Sequence, residues 1–330
     1  MKKAFKFLIL VCLLAGTVSE ADAQKKRTAK KKTQKAASPA PVVAAPTTKV
    51  AEPPKPVDAF KLPEIPKSLR NDAAIDRQLI KDRIPLSYEN IREDDAVYRE
   101  RVWRDLDVHE KMNLPFIYDA NEDNGNQMFI NILLKGIKDS IITAFSADND
   151  RFTTPMTIQE IGSLLVGKPD TIKVVDWVAD PTGGTMKDSV VINEFNPLDV
   201  EKYRIKEEWV FDKESSRLFV RILGIAPLKN IKNEDGSLRA VSPIFWIYYP
   251  DCRAYFAKFE AYNGKNWGAR MTWEEIFESR FFSSYITKST LDNPYNQTLK
   301  EKYKDPILVL LEGDNIKNKI FDYEQSLWSY

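Results

Sequence analysis

Histidine, cysteine and glycine are scarce in this chain. His109 is the one histidine in 330 residues, Cys12 and Cys252 are the two cysteines, and glycine numbers 12, about half its usual share of roughly 7%. Zinc-type centres need several His and Cys ligands, which such counts do not supply. No Ser/His/Asp arrangement is signalled. There is no Gly-x-Gly-x-x-Gly and no Walker-type loop, and Gly183-Gly184 after Pro181 is turn chemistry. Long apolar runs are missing beyond the first residues. The longest are Ile244–Tyr249 and Ile307–Leu311, far short of the roughly 20 residues that span a bilayer. Charge of one sign is also missing, with 49 Lys+Arg against 48 Asp+Glu. Paired carboxylates remain as acid/base candidates by type only: Glu207-Glu208 and Glu274-Glu275. The second pair is explained by the preference of helix N-termini for negative charge. No catalytic, cofactor or metal residue is assigned.

The charge balance conceals a division. Met1–Lys6 is basic, Phe7–Ala15 is nearly all apolar, and Ala21-Asp22-Ala23 is a small-residue cleavage site. That order predicts a cleavable export signal over residues 1–23. Cys12 sits inside the apolar run and leaves with it, so Cys252 is expected alone and buried, as free cysteines commonly are. Gln24–Leu62 then carries ten basic and two acidic residues (net +8), seven of the basic ones in Lys25–Lys35, and eight prolines follow between Ser38 and Pro66. Such composition predicts a disordered, extended linker over residues 24–66. It suits either a tether to anionic envelope material or a plain solvated spacer. The remainder carries 36 basic and 44 acidic residues (net −8). An export signal and an acidic body together argue against a nucleic-acid partner.

From residue 67 to 330 the pattern predicts an α+β body with helices first, a central antiparallel sheet, then helices. Ile91, Tyr98, Val102, Leu106 and His109 fall at helical spacing and predict a helix from Ser87 to about Met112, with His109 as a core or cap residue. Gln127–Phe145 is the next expected helix. Thr157-x-x-Glu160 and Thr272-x-x-Glu275 are capping boxes. Gly167 fits the stop of the first of these helices, and the second is expected to run to about Phe282. Strands are expected at Ile172–Val178 and Val190–Asn193. Tyr203–Phe211 and Leu218–Ile222 alternate around a Lys213–Ser216 turn and predict a hairpin. Ile244–Tyr249, apolar on both faces, predicts a central or partner-covered strand, with Tyr255–Ala261 returning from it. Asp305-Pro306 predicts the N-terminus of a last helix, to about Leu327.

Aromatic side chains are over-supplied. Phe245, Trp246, Tyr248, Tyr249, Tyr255, Phe256 and Tyr262 fall within eighteen residues, followed by Trp267 and Trp273. Aromatic residues and Arg concentrate binding energy at interfaces. The candidate interface residues are therefore Phe245, Trp246, Tyr248, Tyr249, Tyr255 and Trp267. Arg92, Arg99 and Arg104 join them, on the charged face of the first expected helix.

Several strings together resemble the GldN family, called PorN in non-gliding species. They are Arg70–Arg77, Asp82–Glu89, Arg92–Arg104, Lys111–Phe116, Arg221–Leu228 and Phe245–Pro250. The resemblance spans about Arg70 to the C-terminus. It implies a non-enzymatic, periplasmic, outer-membrane-associated subunit of the type IX secretion system of Bacteroidota. It further implies a ring formed with the lipoprotein GldK (PorK), contact with the periplasmic part of GldM (PorM), and, in some species, gliding. No catalytic motif carries over from that family.

Overall fold

A computed structural model describes residues 60, 62, 68–70, 74–75, 82–119, 128–166, 170–175, 186–191, 195–232, 238–266 and 268–327. The elements run β1 (Ala96–Asp107), α1 (Phe129–Lys138), β2 (Ala144–Phe145), α2 (Ile158–Val166), β3 (Asp170–Val175), β4 (Met186–Val191) and β5 (Lys202–Asp212). They continue through β6 (Arg217–Lys232), β7 (Leu238–Pro243), β8 (Trp246–Tyr248), α3 (Tyr249–Phe256), β9 (Glu260–Ala261), β10 (Met271–Thr272) and α4 (Trp273–Glu278). Strand β11 (Tyr285–Ser289), α5 (Leu299–Lys302) and α6 (Pro306–Ser326) complete the chain. The export signal, nearly all of the linker, Gly167 and Trp267 lie outside the described residues.

The fold is α+β, around a sheet ordered β11-β1-β5-β6-β8-β2 with β7 paired to β6. All its pairings are antiparallel. Two separate hairpins, β3–β4 and β9–β10, stand off it. The expected β5–β6 hairpin forms around its turn at residues 213–216. All three helix starts form as expected. Thr157 and Glu160 cap each other, as do Thr272 and Glu275, and Asp305 accepts from the Ile307 amide beside Pro306.

The largest correction concerns residues 87–112. Ala96–Asp107 is a strand, not a helix. Tyr98, Val102 and Leu106 are four residues apart, and four is both about one helical turn and an even number, so the same residues share a side under either period. The partner strand decides the matter. β5 lies antiparallel to β1 in a register that sets Arg101 opposite Glu208, Asp105 opposite Arg204 and Asp107 opposite Lys202. Directly opposed unlike charges stabilise a ladder. His109 consequently sits exposed in the turn after β1, its Nδ1 3.1 Å from Asp107, and not in a core or cap. The Gln127–Phe145 helix is shorter than expected and ends at Lys138, leaving Ala144–Phe145 as a strand.

One face of the sheet carries Leu106, Tyr203, Ile205 and Ile225, covered by α1, α3 and α4. Helix α1 has Phe129, Ile130, Ile132, Leu133, Leu134 and Ile137 buried, leaving only its two lysines outside. Rings of Phe116, Phe129, Trp273 and Phe277 pack at 4.7–6.4 Å, mostly tilted or edge-on, as aromatic quadrupoles prefer. Phe60 is buried in this core and Leu62 packs against it, so core packing starts before residue 67. Further along the same face α6 closes a second cluster of Val102, Ile286, Val309, Ile316 and Ile320. Helix α6 approaches β11 closely at Gly313, where a Cβ would lie 3.1 Å from the Ile286 carbonyl oxygen.

Cys252 is buried on α3, its Sγ 3.2 Å from the Tyr248 carbonyl oxygen, and burial pushes its thiol up to about 12. A maleimide added to the folded protein at neutral pH should therefore leave Cys252 unmodified, while the same reagent in guanidinium labels it fully. Rapid labelling of the folded chain would contradict this burial. Phe129→Ala should cost about 3–5 kcal/mol, as ring removal from a packed core does, measured by urea unfolding.

Candidate interaction surfaces

The aromatic candidates divide by burial. Phe245, Trp246, Tyr249 and Tyr255 are buried and are corrected from interface to core. The run Ile244–Tyr249 is not a strand with two apolar faces. Only Trp246–Tyr248 is strand, and the chain turns into α3 at Tyr249 with Pro250 in the first turn. This transition sends Tyr249 and Tyr255 into the helical side of the core, where the Tyr255 hydroxyl donates to the Ile132 carbonyl at 3.3 Å. Tyr255 thus belongs to a helix and not to a returning strand. Trp246 packs on the other sheet face with Trp103 and Ala226. Tyr248 stays half-buried, its ring 5.4 Å from that of Phe152.

The arginines divide too. Arg92 is exposed ahead of β1. Arg99 and Arg101 both reach Glu208, at 2.6 and 3.0 Å. Arg104 points to the opposite side and donates to Ser284, both hydroxyl and carbonyl. The charged stretch is therefore a sheet ladder on one face and an anchor to the α6 side on the other, not one helix face. On the ladder face the Trp103 indole donates to Asp150 at 2.7 Å, while Lys206 donates to the Asp150 carbonyl and lies over the Trp103 and Phe152 rings. The loop after β2 is thereby fastened to the sheet.

Neither carboxylate pair forms a joint site. Glu207 is fully buried and receives Arg280 at 2.7 Å and the Trp209 indole at 3.1 Å, while Glu208 faces Arg99 and Arg101. Glu274 binds Arg253 at 2.7 Å, and Glu275 caps α4 and pairs with Arg83. Among the described residues no group of His, Cys, Asp and Glu is placed to hold a metal ion.

Three surfaces went unnoticed in the sequence. A strap over residues 82–90 is pinned by Tyr88, whose hydroxyl donates to Glu278 and whose ring lies 4.0 Å beneath the Arg253 guanidinium. On this strap Ile84 and Leu86 project almost wholly into solvent. An open groove of about 710 Å³ is lined chiefly by Met112, Leu114, Pro115, Tyr262, Met271 and Phe281. The first turns of α6 expose Ile307, Leu308, Leu310 and Leu311 while burying Val309. Of the three, α6 had a usable signal. Five consecutive apolar residues at a helix start cannot all face inward.

Arg280 occupies a left-handed backbone position, φ 56°, just after α4, where glycine is the default. Its pairing with buried Glu207 explains the exception. Arg280→Gly should therefore destabilise by about 3 kcal/mol or more despite the easier backbone, because it strands a buried charge. Adding Glu207→Gln should recover part of the loss in urea unfolding. A neutral Arg280→Gly would remove the ion pair from the account. For Glu208, burial raises the carboxyl pKa, but hydrogen bonds from Arg99 and Arg101 outweigh it and hold the group below its ordinary value. A depressed folded pKa means stability that is complete above the ordinary carboxylate range and is lost as pH falls through the folded value. Glu208→Gln should flatten the acid limb of a stability–pH curve without altering its neutral plateau slope.

Among the described residues no helix is long and apolar enough to cross a membrane. No curated protein matches the chain. The family model described as "Gliding motility associated protein GldN" matches residues 91–329, from just ahead of β1 to beyond α6. That range takes in the whole sheet, both covering helical clusters and the exposed aliphatic turn of α6, so the chain belongs to the GldN family, a component of gliding motility and type IX secretion.

Proposed function

We propose that this chain is a non-enzymatic structural subunit of the type IX secretion machinery. In this reading it is exported to the periplasm, assembles at the outer membrane into a ring with the lipoprotein GldK, and links that ring to the periplasmic part of GldM. The observation that carries the reading is the family match over residues 91–329. Two features support it. The paired carboxylates of the body are taken up by arginines and caps. Exposed aliphatic side chains are grouped on the α6 helix (Ile307, Leu308, Leu310 and Leu311) and on the pinned strap (Ile84 and Leu86), surfaces of the kind an assembly subunit requires. Coexpression with the lipoprotein followed by native mass measurement tests the proposal. A large, closed co-assembly is expected, and a lone monomer beside an unbound lipoprotein would overturn it.

The basic arm makes an envelope-binding module the rival reading, since Lys25–Lys35 carries seven positive charges. Deleting residues 24–56 separates the two and spares Phe60, which the core needs. The truncated chain should still co-assemble with the lipoprotein. Loss of co-assembly with retained folding would favour the arm as the binding element.

A further inference from the structure

We infer that the aliphatic turn of α6 in one copy of this chain seats in the Met112–Tyr262–Phe281 groove of another copy. Helix α6 already has a complete inward stripe: Val309, Gly313, Ile316 and Ile320, at spacings of four, three and four, are buried against β1 and β11. Ile307, Leu308, Leu310 and Leu311 lie on the other side and are 67, 47, 52 and 54% exposed. None of them belongs to a buried cluster of its own chain. Four large aliphatic side chains grouped in one and a half helical turns form a convex patch of the kind that marks a binding surface.

The groove is the concave counterpart. Met112 and Leu114 enter it from the turn after β1, Tyr262 from the β9–β10 loop, and Phe281 from the end of α4, each exposed. Tyr262 is held in place by stacking on Tyr118 at 3.7 Å. The groove is therefore lined by a fixed ring and not by a loose side chain.

The charges around the two surfaces match. At the groove mouth stand Lys111, Lys265 and Glu110. Flanking the ridge stand Asp305, Glu312 and Asp314, with Lys304 just ahead of them. Two lysines at the mouth meet a mainly acidic ridge, and Glu110 has Lys304 as a counterpart. Complementary rims of this kind set register and reject wrong partners. Ridge and groove belong to one chain, so a second copy supplies both halves of the contact. The two surfaces differ, so each seated ridge leaves that copy's own groove free for another. Four side chains make a contact at the small end of the interface range. It should be weak between two free copies and cumulative where many copies are held together.

This contact concerns purified copies of the chain alone and stands or falls independently of the secretion reading. The test uses two variants of the mature chain, Leu311→Asp on the ridge and Phe281→Lys in the groove, both at exposed positions. Circular dichroism and thermal unfolding establish that each is folded. Sedimentation of the wild type over a wide concentration range should show reversible self-association. Each variant alone should associate roughly tenfold to a hundredfold more weakly, as loss of one buried large apolar side chain implies. Mixing the two should restore association, as a 1:1 species only, because one variant keeps an intact groove and the other an intact ridge. Folded variants that associate like the wild type would overturn the proposal, as would a mixture that stays monomeric. If the wild type is monomeric throughout while Leu311→Asp abolishes lipoprotein co-assembly, the ridge serves that partner and the second-copy contact is wrong.

Discussion

Strand β1 is the element on which the rest of the structure depends, because it is paired on both edges and loaded on both faces. β5 lies along one edge and β11 along the other. One face gives Leu106 to the main core and Val102 to the α6 cluster. The other gives Trp103 to the loop after β2 and three charged residues to the ladder with β5. An antiparallel sheet can keep one face solvated, and here the second face sets charged pairs around a small buried patch of Trp103, Ala226 and Trp246. The strand thus separates the main helical core from a side of mixed charged and aromatic character within twelve residues. Its position also fixes α6, since Tyr98 near the start of β1 stacks on Tyr323 at 4.2 Å near the end of that helix. With α6 held at both its middle and its end, its first turns are presented outward on a firm base.

The sequence carried local signals faithfully and long-range ones poorly. Capping boxes at Thr157 and Thr272 and the Asp305-Pro306 start involve groups three residues apart or fewer, so their chemistry is complete in the string. The β5–β6 hairpin is similarly local. In β1 the alternation is masked by apolar residues at a spacing of four, and its charges suit a solvated helix equally well. What distinguished strand from helix was the complementary order of Lys202, Arg204 and Glu208, about a hundred residues away. The aromatic cluster failed for a related reason. Ile244–Tyr249 is two-faced only if all of it is strand, and the change from strand to helix at Tyr249 distributes its rings between the two sides of the sheet.

Candidate site residues suffered most from this, since surface and core were exchanged. Of the residues with interface chemistry, Tyr249 and Tyr255 fill volume in the helical core, and Trp246 fills the small cluster on the opposite sheet face. The side chains exposed in their place are plainer: Ile84, Leu86, Ile307 and Leu311. Aliphatic residues attract less notice than tryptophan in a sequence, yet an exposed isoleucine on a rigid element is the less expected observation. The legible clue was the excess of apolar residues over what one helix face can bury.

The same principle of balance separates two kinds of charge in the molecule. Ion pairs with a desolvated member, Glu207 with Arg280 and Glu274 with Arg253, are costly to break and need not be net stabilising against an apolar replacement. Their contribution is positional: Arg280 fixes the exit of α4 and Arg253 fixes Tyr88 and with it the strap. Apart from Asp305, which caps α6, exposed charges at the groove mouth and along α6 bear little on folding and are free to select a partner. A chain whose body is acidic while its preceding arm is basic repels and attracts copies of itself at different places. An apolar ridge-and-groove contact between bodies therefore has to work against a net charge of like sign. Short-range rim pairs such as Lys111 or Lys265 with Glu312 offset that repulsion only when the surfaces meet in one register, which makes the acidic excess a source of geometric selectivity.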